Sequence, residues 1–251
     1  LRIFESESMQ EINLRGVPNT GIRALSISKD EKVYAYISSS DTSPGDIFLS
    51  LKDKQKSRKL ASGLSQDING KDLVTSQVIR YKSFDGLEIP SILYKPVQAS
   101  KRNKVSALVY VHGGPGGQTR KGYNSNIQFL VNNGYAVIGV NNRGSSGYGK
   151  TFYHMDDKRH GEEDLLDVVW AKKYLQGLDW IDSESIGVMG GSYGGFMTLA
   201  AMTFHPEEFE VGIDIFGVSN WVRTLKSIPP WWESFKVALY DELGDPETDE
   251  E

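Results

Sequence analysis

Ile186-Gly187-Val188-Met189-Gly190-Gly191-Ser192-Tyr193-Gly194-Gly195-Phe196 is the stretch from which the rest of this chain can be read. Its first four residues form a short apolar run suited to a buried strand, and Phe196-Met197-Thr198-Leu199-Ala200-Ala201-Met202 continues as a helix former. Between them the chain must reverse sharply. Gly-x-Ser-x-Gly suits such a strand-to-helix turn because side chains at the flanking positions would collide, and the turn pushes the serine out at the strand's carboxyl end. Ser192 then stands where its hydroxyl can attack a carbonyl, beside the free N–H groups of a helix N-terminus. Glycines beside a serine are also an ordinary turn; the strand, the helix and the doubled glycines on each side favour a nucleophile.

The chain has 251 residues, 39% of them hydrophobic, with a net charge of -5 and no cysteine. That is ample for a sizeable core. Basic residues are dispersed, which gives no electrostatic case for nucleic acid or an anionic membrane. Without cysteine there are no disulfides, thiolate catalysis, or Cys-based zinc or iron–sulfur sites. No apolar run approaches the length of a membrane span. Neither a metal nor a cofactor is expected. No signal peptide is visible and a cytoplasmic location is the expectation; the chain opens Leu1-Arg2-Ile3-Phe4 without a methionine, as a processed or truncated beginning would, so a periplasmic or secreted location is the alternative.

Residues 1–75 read as all-β. Strands are expected over residues 22–28, 33–39, 46–51 and 60–63, with turns at 29–32 and 41–45 and a solvated basic run at 52–59. Residues 3–17 could supply one further strand. One such meander cannot bury its apolar face alone. After Gly70 the pattern changes. Asp85-Gly86 marks a hairpin, residues 105–111 and 135–140 read as buried strands, and residues 123–133 read as a helix. Over residues 162–175 the pattern places Leu165, Leu166, Val169 and Trp170 on one face of an amphipathic helix. The Ser192 strand, its helix to about Phe204 and a strand at 211–215 follow. Alternation of this kind predicts a mostly parallel sheet covered on both faces, with reactive groups collected at the carboxyl ends of its strands.

His112-Gly113-Gly114-Pro115-Gly116-Gly117 follows the first buried strand. Its glycines allow backbone N–H groups to point at the space above Ser192, so Gly114 and Tyr193 are the expected oxyanion-hole donors. A phosphate cradle is disfavoured because neither Gly-Lys-Ser/Thr nor Gly-x-Gly-x-x-Gly is present. His112 is expected to brace the loop rather than act as the base.

These blocks, together with Asn142-Arg143-Gly144-Ser145-Ser146-Gly147-Tyr148-Gly149 and residues 161–164, resemble the prolyl oligopeptidase family of serine peptidases, especially its acylaminoacyl-peptidase and dipeptidyl-peptidase-like branch. The resemblance is strong over residues 78–222 and weak before residue 75. It implies an α/β-hydrolase domain over residues 76–251 preceded, over residues 1–75, by the end of a β-propeller, about one blade plus a strand. It also implies Ser192 as nucleophile, Gly114 and Tyr193 as oxyanion donors, and an Arg143–Gly149 loop that shapes the site, which makes Arg143 a candidate pocket residue.

One departure from the family pattern stands out. In α/β-hydrolases the acid and the histidine follow the serine. His205 is the only histidine after Ser192, and 13 residues of helix would place it about 20 Å away, whereas a base must come within about 3 Å. Asp214 has no histidine partner. The chain therefore reads as an internal fragment whose triad Asp and His are expected beyond residue 251, inactive by itself and needing the remainder of the hydrolase domain in cis or as a second chain. Trp231 and Trp232 either line an apolar substrate pocket or serve ordinary packing. The expected function is hydrolysis of short peptides, in an oligopeptidase, acylaminoacyl- or dipeptidyl-peptidase-like mode. The alternatives are a carboxylesterase of the same fold and a non-catalytic binding protein or scaffold. Homo-oligomerisation stays open.

Overall fold

The computed structural model describes residues 4, 7–11, 16–17, 21–52, 54 and 56–248. They fall into two compact units, one formed by residues 1–76 with 121–132 and the other by residues 77–120 with 133–251.

The first unit holds a four-stranded antiparallel meander of β1 (Ile22–Ile27), β2 (Val33–Ser40), β3 (Ser43–Leu51) and β4 (Arg58–Ala61), in that order. Tyr36 and Phe48 pair across β2 and β3 and stack at 5.4 Å. The turn after β2 is tighter than the sequence suggested: Ser40 pairs with Ser43, so Pro44 and Gly45 belong to β3. Asp41 accounts for this. Its buried carboxylate accepts hydrogen bonds from the Ser76 and Gly122 N–H groups and from the Ser76 hydroxyl. Helix α1 (Ser125–Asn132) is bound to the same turn through Gln128, whose amide donates to the Asp41 and Val74 carbonyls and accepts from Val74 N–H. The end of the basic run is strand rather than turn, with Lys59 paired to Asp46 at 2.5 Å. Of the strand expected over residues 3–17, the described residues show a single bridge between Phe4 and Glu11, with turns at 7–8 and 16 and no other strand pairing; residues 3, 5–6 and 12–15 lie outside the described residues.

The second unit is built on a six-stranded sheet in the order β10-β9-β7-β8-β6-β5. Its strands are β5 (Ser76–Lys82), β6 (Glu88–Tyr94), β7 (Val105–Val111), β8 (Ala136–Val140), β9 (Ile181–Gly191) and β10 (Gly212–Ile215). β8, β7, β9 and β10 run parallel, while β6 is antiparallel to β8. Val109, Val111, Ile138, Val140, Ile186 and Val188 are at most 1% exposed, as strands covered on both faces require. Helices α2 (Lys150–Tyr153), α3 (Glu163–Gln176), α4 (Tyr193–Phe204), α5 (Trp221–Lys226) and α6 (Glu233–Leu243) complete the unit. In α3 the buried face differs from the expected one. Leu165 and Val169 are buried, but Leu166 and Trp170 are half-buried, and Asp164 and Asp167 are completely enclosed. Reading apolar periodicity alone turned the helix slightly, because two of its inward positions carry carboxylates held by hydrogen bonds.

Candidate active site

Because β7, β8, β9 and β10 are parallel, the loops that follow them leave from one edge of the sheet. The loop after β9 is the elbow. Ser192 has φ 58 and ψ -118, a conformation that L-residues rarely adopt, and it is held there by a hydrogen bond from its N–H to the Ile215 carbonyl at 3.1 Å. Ser192 caps α4, and its carbonyl accepts from Phe196 N–H. The flanking glycines are required by contact. A Cβ on Gly190 would lie 2.3 Å from the Gly194 carbonyl oxygen, and one on Gly194 would lie 2.1 Å from that of Val111. The collision inferred from the sequence is thus between the two glycines themselves and with the end of β7.

The loop after β7 lies against the elbow: a Cβ on Gly113 would be 3.6 Å from Ser192 Cβ. Neither the Gly114 nor the Tyr193 N–H donates to a protein acceptor among the described residues. His112 braces this loop, as its position suggested. Its Nδ1 donates to the Gly113 carbonyl (2.9 Å), which leaves Nε2 to accept from the Ser145 hydroxyl (2.8 Å). Burial pushes its pKa down and keeps it neutral.

Arg143 is placed differently from the pocket role expected of it. It is 5% exposed, and its N–H, Nε and Nη2 donate to the Asp167 carboxylate at 2.9, 3.0 and 3.0 Å. Nη2 also reaches Asp85 at 3.0 Å, and the guanidinium lies over the Phe84 ring. Asp167 further accepts from the Ser83 hydroxyl, while its backbone carbonyl accepts from Tyr81. Arg143 thus ties the loop after β8 to α3 and to the β5–β6 hairpin, with its donors turned away from solvent. Trp231 and Trp232, for which the sequence left pocket lining or packing open, are 79% and 52% exposed. An apolar groove of about 340 Å³ is lined instead by Phe196, Leu199, Ala200, Thr203, Phe204 and Val218. Trp221 is the tryptophan near the elbow, with its ring 5.5 Å from Phe196 and 6.2 Å from Tyr193.

A buried polar cluster that the sequence reading missed surrounds the Tyr193 side chain. The Tyr193 hydroxyl donates to Asp164 Oδ2 and lies 3.0 Å from His160 Nδ1. His160 Nε2 lies 3.1 Å from the Glu242 carbonyl, and Nδ1 lies 3.3 Å from Asp156 Oδ2. The ligand atoms of Asp156, His160 and Asp164 lie within 4.8 Å of one another, close enough to hold a metal ion, but the Tyr193 hydroxyl stands between His160 and Asp164. Their spacing of four residues each was the available signal, but residues 156–162 are not helical, so periodicity could not reveal it.

Burial raises the Asp164 pKa to about 6, against the opposing Tyr193 hydrogen bond and the His160 charge. For His160, burial pushes downward, but the Asp156 hydrogen bond and the charges of Asp156 and Asp164 hold the pKa above the ordinary histidine value. Both groups bind protons more tightly in the folded state, so their contributions to stability are present at low pH and decline as pH rises. The Asp164 contribution is lost between pH 3.8 and about 6. Denaturation midpoints measured across that window should shift in favour of Asp164→Asn over wild type as pH increases. A gap that stays constant or widens the other way would contradict the assignment.

None of the four histidines hydrogen-bonds Ser192 among the described residues. His112 and His160 are engaged as described, His154 pairs with Asp157, and His205 caps the far end of α4. Asp214 Oδ1 accepts from Gly217 N–H at 2.8 Å.

A strained serine carried between strand and helix at the carboxyl edge of a parallel sheet is the arrangement of α/β-hydrolases with a serine nucleophile, and the chain is of that class. Residues 121–250 match the prolyl oligopeptidase family, and the chain belongs to this family of serine peptidases. It is 40% identical over 194 residues to dipeptidyl aminopeptidase BIII of Pseudoxanthomonas mexicana, a match covering 72% of this chain and 27% of that protein. Dipeptidyl peptidase family member 6 of Caenorhabditis elegans is 30% identical over 99% of this chain and 36% of its own length. Among solved structures, the Pyrococcus horikoshii acylaminoacyl peptidase superposes with a TM-score of 0.72 at 29% identity, covering 91% of this chain and 36% of that one. The chain thus spans about a third of the length of these relatives.

Proposed function

We propose that this chain carries the nucleophile and oxyanion hole of a peptidase acting on short peptides. The observation that carries the reading is Ser192, strained and held on the elbow with the Gly113 backbone against it, while the N–H groups of Gly114 and Tyr193 donate to no protein acceptor among the described residues. Ser192 Oγ attacks the scissile carbonyl carbon. The carbonyl oxygen becomes an oxyanion that accepts from the Gly114 and Tyr193 N–H groups, and collapse expels the amine and leaves an acyl-enzyme for water to cleave. The serine proton goes to a histidine, oriented by an aspartate, that polypeptide beyond residue 251 supplies. Two facts support that assignment: no histidine bonds Ser192 among the described residues, and apolar surface stands uncovered at the β10 end of the sheet. Ile213, Ile215 and Phe204 are 40%, 38% and 66% exposed. The β1–β4 meander fits one blade of a propeller.

The relatives' names, dipeptidyl aminopeptidase and acylaminoacyl peptidase, support short peptides as the substrate class. An irreversible organophosphonate applied to the full-length polypeptide should label Ser192, located by mass spectrometry. Parallel assays on an aminoacyl anilide, an N-acylated peptide and an aryl ester then set the mode. Labelling elsewhere, or ester cleavage with no amide cleavage, would overturn the peptidase reading.

A further inference from the structure

The buried cluster around Tyr193 has a hydrogen-bond logic that fixes its protonation. The Glu242 carbonyl can only accept, so His160 Nε2 must carry a hydrogen. The Tyr193 hydroxyl gives its proton to Asp164, so its oxygen must accept from Nδ1, which therefore carries a hydrogen too. His160 is an imidazolium, and the Asp156 carboxylate 3.3 Å from Nδ1 balances its charge. Asp164 is anchored separately, since its Oδ1 accepts from the Gly161 and Leu165 N–H groups at 2.8 and 2.9 Å. The Tyr193 side chain is thus gripped at its tip by two buried charged groups, themselves held by backbone and by Asp156.

The grip extends to the other side of the site. Tyr153 donates to Glu242 Oε2 at 3.2 Å, and its ring covers Gly116, where an added Cβ would lie 2.6 Å from the Tyr153 hydroxyl. Asp156 presses on Gly144, and His112 is bonded to Ser145 of the same loop. The Glu242 carboxylate and backbone carbonyl thus link the cluster to Tyr153, whose ring packs against the glycine loop after β7.

We propose that His160 and Asp164, with Asp156 behind His160, are positioning residues for acyl transfer: by clamping the Tyr193 hydroxyl they fix the direction in which the Tyr193 N–H points at the oxyanion. The inference rests on the serine-peptidase reading above. The physical basis is that Tyr193 is the first residue of α4 and follows a residue in a strained conformation, so helix hydrogen bonding alone constrains its N–H weakly. Fixing the far end of a buried, rigid aromatic side chain fixes its Cα–Cβ direction, and with it the peptide plane. A misdirected donor matters most to the tetrahedral state, where the charge resides.

The test uses the full-length polypeptide, with rates expressed per active site as counted by organophosphonate titration. Tyr193→Phe keeps the ring and the backbone N–H and removes only the hydroxyl; His160 can still donate to Asp156, and Asp164 keeps its two backbone donors. It should lower kcat on an aminoacyl anilide about tenfold, less than the loss on deleting an oxyanion donor outright, and leave KM within about twofold. Affinity for a peptidyl boronate, whose adduct with Ser192 is tetrahedral, should fall by the same factor as kcat. Asp164→Asn should act likewise. Its Oδ1 stays with the two backbone N–H groups, so its amide NH2 faces a hydroxyl that needs an acceptor. If Tyr193→Phe fails to fold, Asp164→Asn carries the test. The inference is overturned if kcat per site and boronate affinity stay within twofold of wild type, even where thermal stability drops. It is equally overturned if KM rises while boronate affinity holds. Failure of the underlying reading looks different: the phosphonate would not label Ser192 in wild-type protein.

Discussion

Replacing Ser192 with alanine in the full-length polypeptide is expected to reduce turnover of an aminoacyl anilide by about four orders of magnitude or more, the loss typical when a serine nucleophile is removed. The folded state should be nearly unaffected. The hydroxyl makes no hydrogen bond within the described residues, and alanine meets the same backbone strain at φ 58 as serine does. The elbow's shape depends on Gly190 and Gly194 and on the Ser192 N–H bond to Ile215, all of which survive the substitution. Steady-state kinetics with a denaturation midpoint alongside checks both halves. A loss of activity below tenfold would remove Ser192 from the chemistry.

The largest expected effect on stability falls on Arg143. Arg143→Ala leaves the fully buried Asp167 carboxylate with the Ser83 hydroxyl and one backbone N–H, in place of a bidentate cation. Breaking a buried pair from one side costs about 3–5 kcal/mol, mostly the penalty of the uncompensated charge. Arg159 provides the contrast. It pairs with Glu162 and Glu163 at the surface, with 54% of its side chain exposed, and Arg159→Ala should leave stability nearly unchanged. Equilibrium denaturation of the two variants side by side separates the cases. An Arg143→Ala loss as small as that of Arg159→Ala would mean that the buried pair is not a structural tie.

Much of the architecture was legible in the chain itself. Strand and helix order, the elbow at Ser192 and the glycine loop at 112–117 follow from apolar runs and turn chemistry, which act over a few residues. The meander strands were readable for the same reason, apart from their ends, where Asp41 draws the β2–β3 turn tighter through hydrogen bonds to Ser76 and Gly122. Those partners lie 35 and 81 residues away, beyond any local pattern.

Polar burial was decided by tertiary structure alone. An arginine in a loop and two aspartates on a helix look like solvated residues when read locally, because charge ordinarily belongs in water. Arg143, Asp164 and Asp167 are inside because each meets a partner brought from elsewhere: Asp167 reaches Arg143 across 24 residues, and Asp164 reaches Tyr193 across 29. Trp231 and Trp232 show the converse. Their place in an aromatic-rich segment was compatible with a pocket or with packing; they stand exposed, and it is Trp221 that meets Tyr193 and Phe196. Sequence by itself determined which residue could become a strained nucleophile, since that depends on glycines adjacent in the chain. Which charged groups lie buried around the neighbouring Tyr193 was settled only by folding, since desolvating a charge is tolerable only where three-dimensional contacts supply its hydrogen bonds.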